Sequence, residues 1–441
     1  MHITHKLLLA VLDGDLPRKV LEEIVKEHLA ALCPVCREEL ETFDWRLYRR
    51  EVAHPSLYSS HIERVARSVR ATSREHRRAL KEAERWLAEL RKAPAEERRG
   101  KVRRAHKRFR GEVFADLLVE EARRCLPEDP WSSHSWAETA WEVQHRTPGF
   151  DKDAAVTVRT LAYRGNALRA VGRLNDADAD LRAARRILED RAITDLSVCA
   201  ELDCLEGSLR KDRRQLALAE TLLHRAVFLY RLLGETELRA RTEIKLSIVY
   251  YDRDKSAEAV RANESALADL TPESTPRLYT YARFNLARSL ENLGEHRRAL
   301  ALLDEDRDLR VDHLDSLTRL RATWLYGKID WVLGRNDEAD KKLTAAREGF
   351  IKAGIGYDVA MVSLELALIL LEKGEMQRVQ QIAREAVRIF GSQNVHPEAF
   401  ASLKVFRDAA LGERLTAETV RKILRHIQDV GRLPPDESKP S

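Results

Sequence analysis

From residue 165 onward a small residue recurs at Gly165, Gly207, Ser247, Ala287, Gly327 and Ala367, at intervals of 42, 40, 40, 40 and 40 residues. Gly165, Ala177, Leu181 and Ala184 set a finer pattern within the copy, and Gly207, Ala219, Leu223 and Ala226 repeat it at the same spacing. A period this regular excludes one compact core: it is the mark of a supersecondary unit that is copied and stacked, each copy burying its apolar stripe on the next.

Within each copy the apolar residues follow the 3.6-residue period of two helices. A turn falls midway, in "VGRLNDA" (171–177), "NLGEHRRA" (292–299), "VLGRNDEA" (332–339) and "EKGEMQRV" (372–379). Glycine there supplies the left-handed residue that ends the first helix. The small residues at the marked positions let the two helices of a pair approach closely. This pattern resembles the tetratricopeptide repeat, with its small residue in the first helix and its Ala-x3-large-x2-Ala in the second. The resemblance implies an all-α chain, an α-solenoid of helix pairs whose period of 40 exceeds the usual ~34. We place it over 113–412, with a degenerate first unit at 114–144 in which Ala137 and Ala140 lie in the second helix. The strings at 396–410 and 416–430 read as closing helices, so that 413–441 holds a capping helix and a polar, proline-rich tail expected to be disordered.

A different element precedes the repeats. "EHLAALCPVC" (27–36) places one histidine and two cysteines within ten residues. The chain has 5 cysteines in 441 residues, too few for a disulfide scaffold, and a Cys-x2-Cys turn can offer two thiolates to one tetrahedral zinc ion. His28 ends an amphipathic pattern and projects toward Cys33 and Cys36, and a fourth ligand is to be sought at His2 or His5. Cys125, Cys199 and Cys204 stand in apolar helical context and read as small buried hydrophobes.

The segment "AVLDGDLPRKVLEEIVKEHLAALCPVCREEL" (10–40) resembles the zinc-finger module of bacterial zinc-binding anti-sigma factors. That resemblance implies a small zinc-bound helical module at 1–45, ligated by His2, His28, Cys33 and Cys36 around one structural ion. Four residues rather than the common three separate His28 from Cys33. A closed site of this kind would fold the module and leave no open position for catalysis. The resemblance also implies a sigma factor as partner.

Between module and repeats, 46–112 reads as a basic helical connector. Residues 62–124 carry 20 Lys and Arg against 11 Asp and Glu, a net of +9 in a chain whose net charge is +5. Glu alternates with Arg along it and an apolar stripe runs through Leu80, Ala83, Leu87 and Leu90, so a solvated helix face is the better reading and nucleic acid a poor one. In tetratricopeptide arrays the first helices line a groove. Counting from the marked small residues, Arg159, Asn166, Arg169, Lys245, Asn285, Arg288, Trp324 and Lys328 face it here. Several are basic, which suits a partner bearing carboxylates.

No Gly-rich phosphate loop, nucleophile elbow or His-Glu-x-x-His string occurs, so no enzyme is expected. With 34% charged residues and no long apolar run near the N-terminus, neither a membrane protein nor a secreted one is expected. The expectation is a cytoplasmic, bacterial-type regulator: a zinc-stabilised module bound to a sigma factor, with repeats that bind a protein or peptide. The alternative is a scaffold of a multiprotein stress or defence system with a purely structural zinc module.

Overall fold

The computed structural model describes residues 73–104, 110–147, 154–193, 195–305, 314–391 and 397–431. His2, His5, His28, Cys33 and Cys36 lie outside the described residues, as does the tail from 432 onward. Among the described residues all regular structure is helical. The described prolines explain part of this: Pro130, Pro276 and Pro397 open helices and Pro94, Pro127 and Pro272 fall between them, so none interrupts a helix interior. None of the described helices is long and apolar enough to cross a membrane.

The chain divides into two compact units, residues 1–213 with 217–242, and 214–216 with 243–441. In unit 1, α1 (Ser73–Arg91) and α2 (Ala95–Arg104) precede three helix pairs: α3 (Glu112–Cys125) with α4 (Pro130–His145), α5 (Ala154–Ala170) with α6 (Leu174–Asp190), and α7 (Leu196–Asp212) with α8 (Leu216–Leu233). The stripe expected on the connector is the inner face of α1: Ala83, Leu87 and Leu90 are buried in the same core as Phe114, and Trp86 meets Phe114 edge to face at 5.3 Å. Three basic residues of α1 and α2 find acids on other helices and a fourth finds an aromatic ring. Arg91 makes a bidentate bond to Glu121 at 2.7 and 3.0 Å, Arg99 and Arg103 reach Glu142, and Arg98 lies 3.8 Å over the Trp136 ring. First helices also pack on one another, α5 touching both α3 and α7. The division between the units falls within α9 (Thr236–Asp252).

Unit 2 continues with α10 (Ser256–Leu267), the pair α11 (Pro276–Asn292) and α12 (His296–Asp304), α13 (Ser316–Val332) with α14 (Asn336–Ala353), α15 (Gly356–Glu372) with α16 (Met376–Gly391), and α17 (Pro397–Leu411) with α18 (Ala417–Gly431). The closing helices read from the sequence are α17 and α18, and α18 packs back on α15. That contact buries α15 from Val359 through Leu370 without a break.

Two local rules recur through the pairs from α5 onward. The first is the turn. Gly172, Gly294, Gly334 and Gly374 all have positive φ, and the next residue donates its N–H to the carbonyl five positions back, as Arg173 does to Leu168 at 2.9 Å and Arg335 to Asp330 at 2.8 Å. This closes the first helix with a left-handed residue. In the intervening copies the same position is held by Arg214 and Asp254, and at the end of α17 by Glu413, all with positive φ despite carrying a side chain.

The second rule is close approach. A Cβ on Gly207 would lie 2.9 Å from Leu223 Cγ, and one on Gly327 would lie 2.7 Å from Leu343 Cδ2. Those contacts are the small-to-large pairs expected from the period. Two copies depart from them: the last sets Ala367 against Ala383, and in the copy at Ser247 the large position is held by Asn263, joined by a buried hydrogen bond of 2.9 Å from the Ser247 hydroxyl to Asn263 Oδ1.

Cys199 and Cys204 are buried as expected and Cys125 is half-buried. Burial pushes the Cys199 thiol up to about 12, far from the thiolate that reactive chemistry needs.

Candidate functional site

The residues singled out for a groove all lie on first helices. Arg159, Asn166 and Arg169 sit on α5 in unit 1, while Lys245 on α9, Asn285 and Arg288 on α11, and Trp324 and Lys328 on α13 belong to unit 2. They therefore form two groups, one per unit.

In unit 1 the face is closed by its own ion pairs. Arg159 bridges three helices: its Nη1 reaches Asp116 on α3 at 2.9 Å, its Nη2 reaches Glu120 at 3.5 Å, and its Nε reaches Glu201 on α7 at 2.9 Å. Burial pushes Glu201 above the usual carboxylate range, because one shared guanidinium only partly offsets the loss of water. Arg169 bonds Asp212 on α7 at 2.5 Å and the Asn166 carbonyl at 3.0 Å, and Asn166 itself is buried. Two of the acids are more accessible than the base they hold, Asp116 and Glu120 at 35% and 41% exposed against 22% for Arg159, while Glu201 lies beneath it at 9%.

Unit 2 is layered differently. Arg321 on α13 bonds Asp358 on α15 at 3.1 Å, and Lys328 bonds Glu291 on α11 at 2.8 Å. In both pairs the acid is beneath and the base outside, 7% against 40% exposed in the first and 8% against 25% in the second. Trp324 donates its indole N–H to Glu365 on α15 and sits edge to face with Phe350 at 6.0 Å. Burial is the largest influence on Glu365 and pushes its carboxyl up to about 7; Lys328 and the Trp324 N–H pull it down only in part. Asp358 is likewise raised by burial, against the pull of Arg321. Asn285 is buried and spends its amide N–H on the Tyr281 carbonyl of its own helix at 3.0 Å. Arg288 lies 4.1 Å over the ring of Tyr251 on α9.

Glu201, Glu291, Arg321, Asp358 and Glu365 escape a reading based on the marked positions alone. A signal for them is present all the same. The bridging pairs are separated by 42 residues for Arg159 and Glu201, 37 for Lys328 and Glu291, 37 for Arg321 and Asp358, and 41 for Trp324 and Glu365, about one repeat in each case. A scan for complementary residues offset by one period finds them.

Among the described residues no group of three or more His, Cys, Asp or Glu is arranged to hold a metal ion. What the two faces offer chemically is recognition: fixed donors and acceptors on rigid helices, spaced one repeat apart.

Stacked helix pairs with these turns and these small-to-large contacts define the chain as a tetratricopeptide-like repeat protein. Solved structures of other proteins share the fold. One is a Rap protein complexed with Competence and Sporulation Factor, with a TM-score of 0.55 and 12% identity, over 73% of this chain and 88% of that one. Another is the apo form of RapI, with a TM-score of 0.52 and 13% identity, over 71% of this chain and 85% of that one. No family model and no curated protein matches the sequence significantly.

Proposed function

We propose that this chain is a non-enzymatic regulatory scaffold that captures a peptide or an extended protein segment on first-helix side chains, with the face of unit 2 as the docking surface. One observation carries the reading. On α11, α13 and α15 the acids are buried beneath their bases, so Arg288, Arg321 and Lys328 are presented outward on rigid helices without stranding a charge. Repeat proteins use such a row of side chains, one repeat apart, to read an extended ligand. A similar fold in a Rap protein complexed with Competence and Sporulation Factor supports a role in signal reception.

The test is capture of random octapeptides by the full chain. Enrichment that disappears in the double variant Arg321→Gln, Lys328→Gln supports the reading. Enrichment that is unchanged by it places the ligand elsewhere.

The finer reading adds the zinc module and a cytoplasmic location. His2, His28, Cys33 and Cys36 would bind one structural zinc, and the module would restrain a sigma factor; the sequence resemblance alone supports this. Purified protein is expected to hold one zinc per chain and to lose it in a Cys33→Ser, Cys36→Ser variant. Partner capture that survives in that variant favours the scaffold over the sigma-factor form.

A further inference from the structure

Arg288 differs from the other cations of the unit 2 face. Arg321 and Lys328 are committed to Asp358 and Glu291, whereas among the described residues no carboxylate forms an ion pair with Arg288. Its guanidinium carbon rests 4.1 Å over the Tyr251 ring, and its Nε is buried without a hydrogen-bond partner. Asp358 feels the charge of Arg288, but its hydrogen bond goes to Arg321. A guanidinium held over a ring has lost much of its rotamer freedom before any ligand arrives, and its remaining N–H groups are a planar fork matched to a carboxylate.

We propose that Arg288, seated over Tyr251, is the receptor for a carboxylate on the peptide that docks on unit 2. This rests on the reading that the first-helix face of unit 2 binds a peptide, and it goes further by naming the group that is read.

The charge arrangement selects the ligand. A basic side chain would have to reach Glu291, Asp358 or Glu365, and all three are buried beneath the residues they pair with. Among the described residues of this face a dianionic phosphate would meet one cation without an ion pair, Arg288, with three buried acids behind it. A singly charged carboxylate balances the one guanidinium. It can come from an Asp or Glu side chain or from the C-terminus of the peptide.

Three random octapeptide pools separate these sources on the immobilised full-length chain. The first contains Asp and Glu and is amidated at the C-terminus; the second has Asn and Gln in their place and a free C-terminal carboxylate; the third has Asn and Gln and is amidated. The first or second pool should be captured ~10-fold more strongly than the third, as a charge-assisted bidentate bond implies. That preference should vanish in Arg288→Gln and stay lost in Arg288→Lys, which keeps the charge but not the fork. Tyr251→Leu should weaken it by about threefold, the size of an exposed cation–π contact. Arg288 is half-buried and makes no ion pair among the described residues, so Arg288→Gln should lower the thermal melt by no more than about 2–4 °C. Equal capture of all pools, with capture still abolished by Arg321→Gln, Lys328→Gln, keeps the docking face and overturns the carboxylate receptor. So does an acidic preference that survives Arg288→Gln. Failure of the wild-type chain to capture any pool overturns the docking face itself.

Discussion

The two units are built on one helical plan, and three acids on the first-helix face of unit 2 are held differently from the clamped acids of unit 1. In unit 1 an acid is usually clamped by more than one arginine: Asp203 by Arg185 and Arg225, Asp178 by Arg182, Arg210 and Arg213, Glu121 by Arg91 and Arg124. Burial raises the Glu121 carboxyl, yet its two arginines outweigh that and bring it down to about 2. On the first-helix face of unit 2 Glu291 and Asp358 have one cation each and Glu365 an indole N–H as the direct bond, and Asp358 and Glu365 stay above the usual range, whereas Asp330 near the end of α13 is clamped by Arg335 and Lys342. Glu201, which shares Arg159 with two other acids, behaves like unit 2 although it lies in unit 1. For Glu121 and Asp203 two cations outweigh burial, and for Asp358 and Glu365 a single direct partner does not.

The strongest way to break this contrast is Asp203→Ala. Asp203 is fully buried, and removing it takes from Arg225 and Arg185 the carboxylate they share, with Arg185 keeping Glu206 at 2.8 Å. A loss of ~3–5 kcal/mol in denaturant-induced unfolding is expected. Burial raises the Asp203 carboxyl, but Arg225 and Arg185 together bring it below its ordinary value, so its contribution is present above the ordinary carboxylate range and is lost as the pH falls. A cost below 1 kcal/mol would remove the distinction between clamped and unclamped acids.

Glu365→Gln probes the other side. Because the folded carboxyl titrates at about 7 rather than near its unbound value of 4.5, it favours folding fully only below the unfolded value, and that contribution is lost as the pH rises through 7. The variant should therefore be more stable than wild type at pH 8 by up to ~3 kcal/mol, and should lose the advantage at pH 4. Urea melts at both pH values decide it, and a pH-independent difference would contradict the assignment.

A third comparison isolates packing from charge. Gly207→Ala in unit 1 and Gly327→Ala in unit 2 press a methyl against Leu223 and Leu343, both wholly buried. Each should cost ~1–3 kcal/mol and the two costs should agree, since close approach is common to both units. The smallest expected effect is a gain. Glu413 holds a left-handed turn conformation at φ 52, and Glu413→Gly should stabilise by ~0.5–1 kcal/mol after the added chain entropy of glycine is subtracted. Neither melt should shift the pH dependence assigned to Asp203 or Glu365.

Much of this fold was legible in the chain because packing is local and periodic. Gly165 and Leu181, Gly207 and Leu223, and Gly327 and Leu343 lie 16 residues apart in sequence and touch across one turn. The four turn glycines were equally plain, whereas Arg214, Asp254 and Glu413 fill the same role with side chains that carry no turn signature. The candidate face was legible only as a set of positions. Asn166 and Asn285 occupy such positions but spend their side chains within the protein, and the counter-charges of Arg159, Arg321 and Lys328 come from neighbouring copies. A single-helix pattern does not contain that information; the offset of one repeat does. The zinc ligands expected at His2, His28, Cys33 and Cys36 rest on the sequence alone.

The Ser247–Asn263 pair has a consequence for how the copies find their partners during folding. Helical hairpins of equal length and similar sequence can dock in the wrong order, since one glycine seat accepts any leucine. An amide in the place of that leucine is different: seated against glycine it would lose its hydroxyl donor and bury an unanswered carbonyl. The polar pair therefore disfavours docking of the Ser247 copy's second helix against the first helix of a glycine-bearing copy.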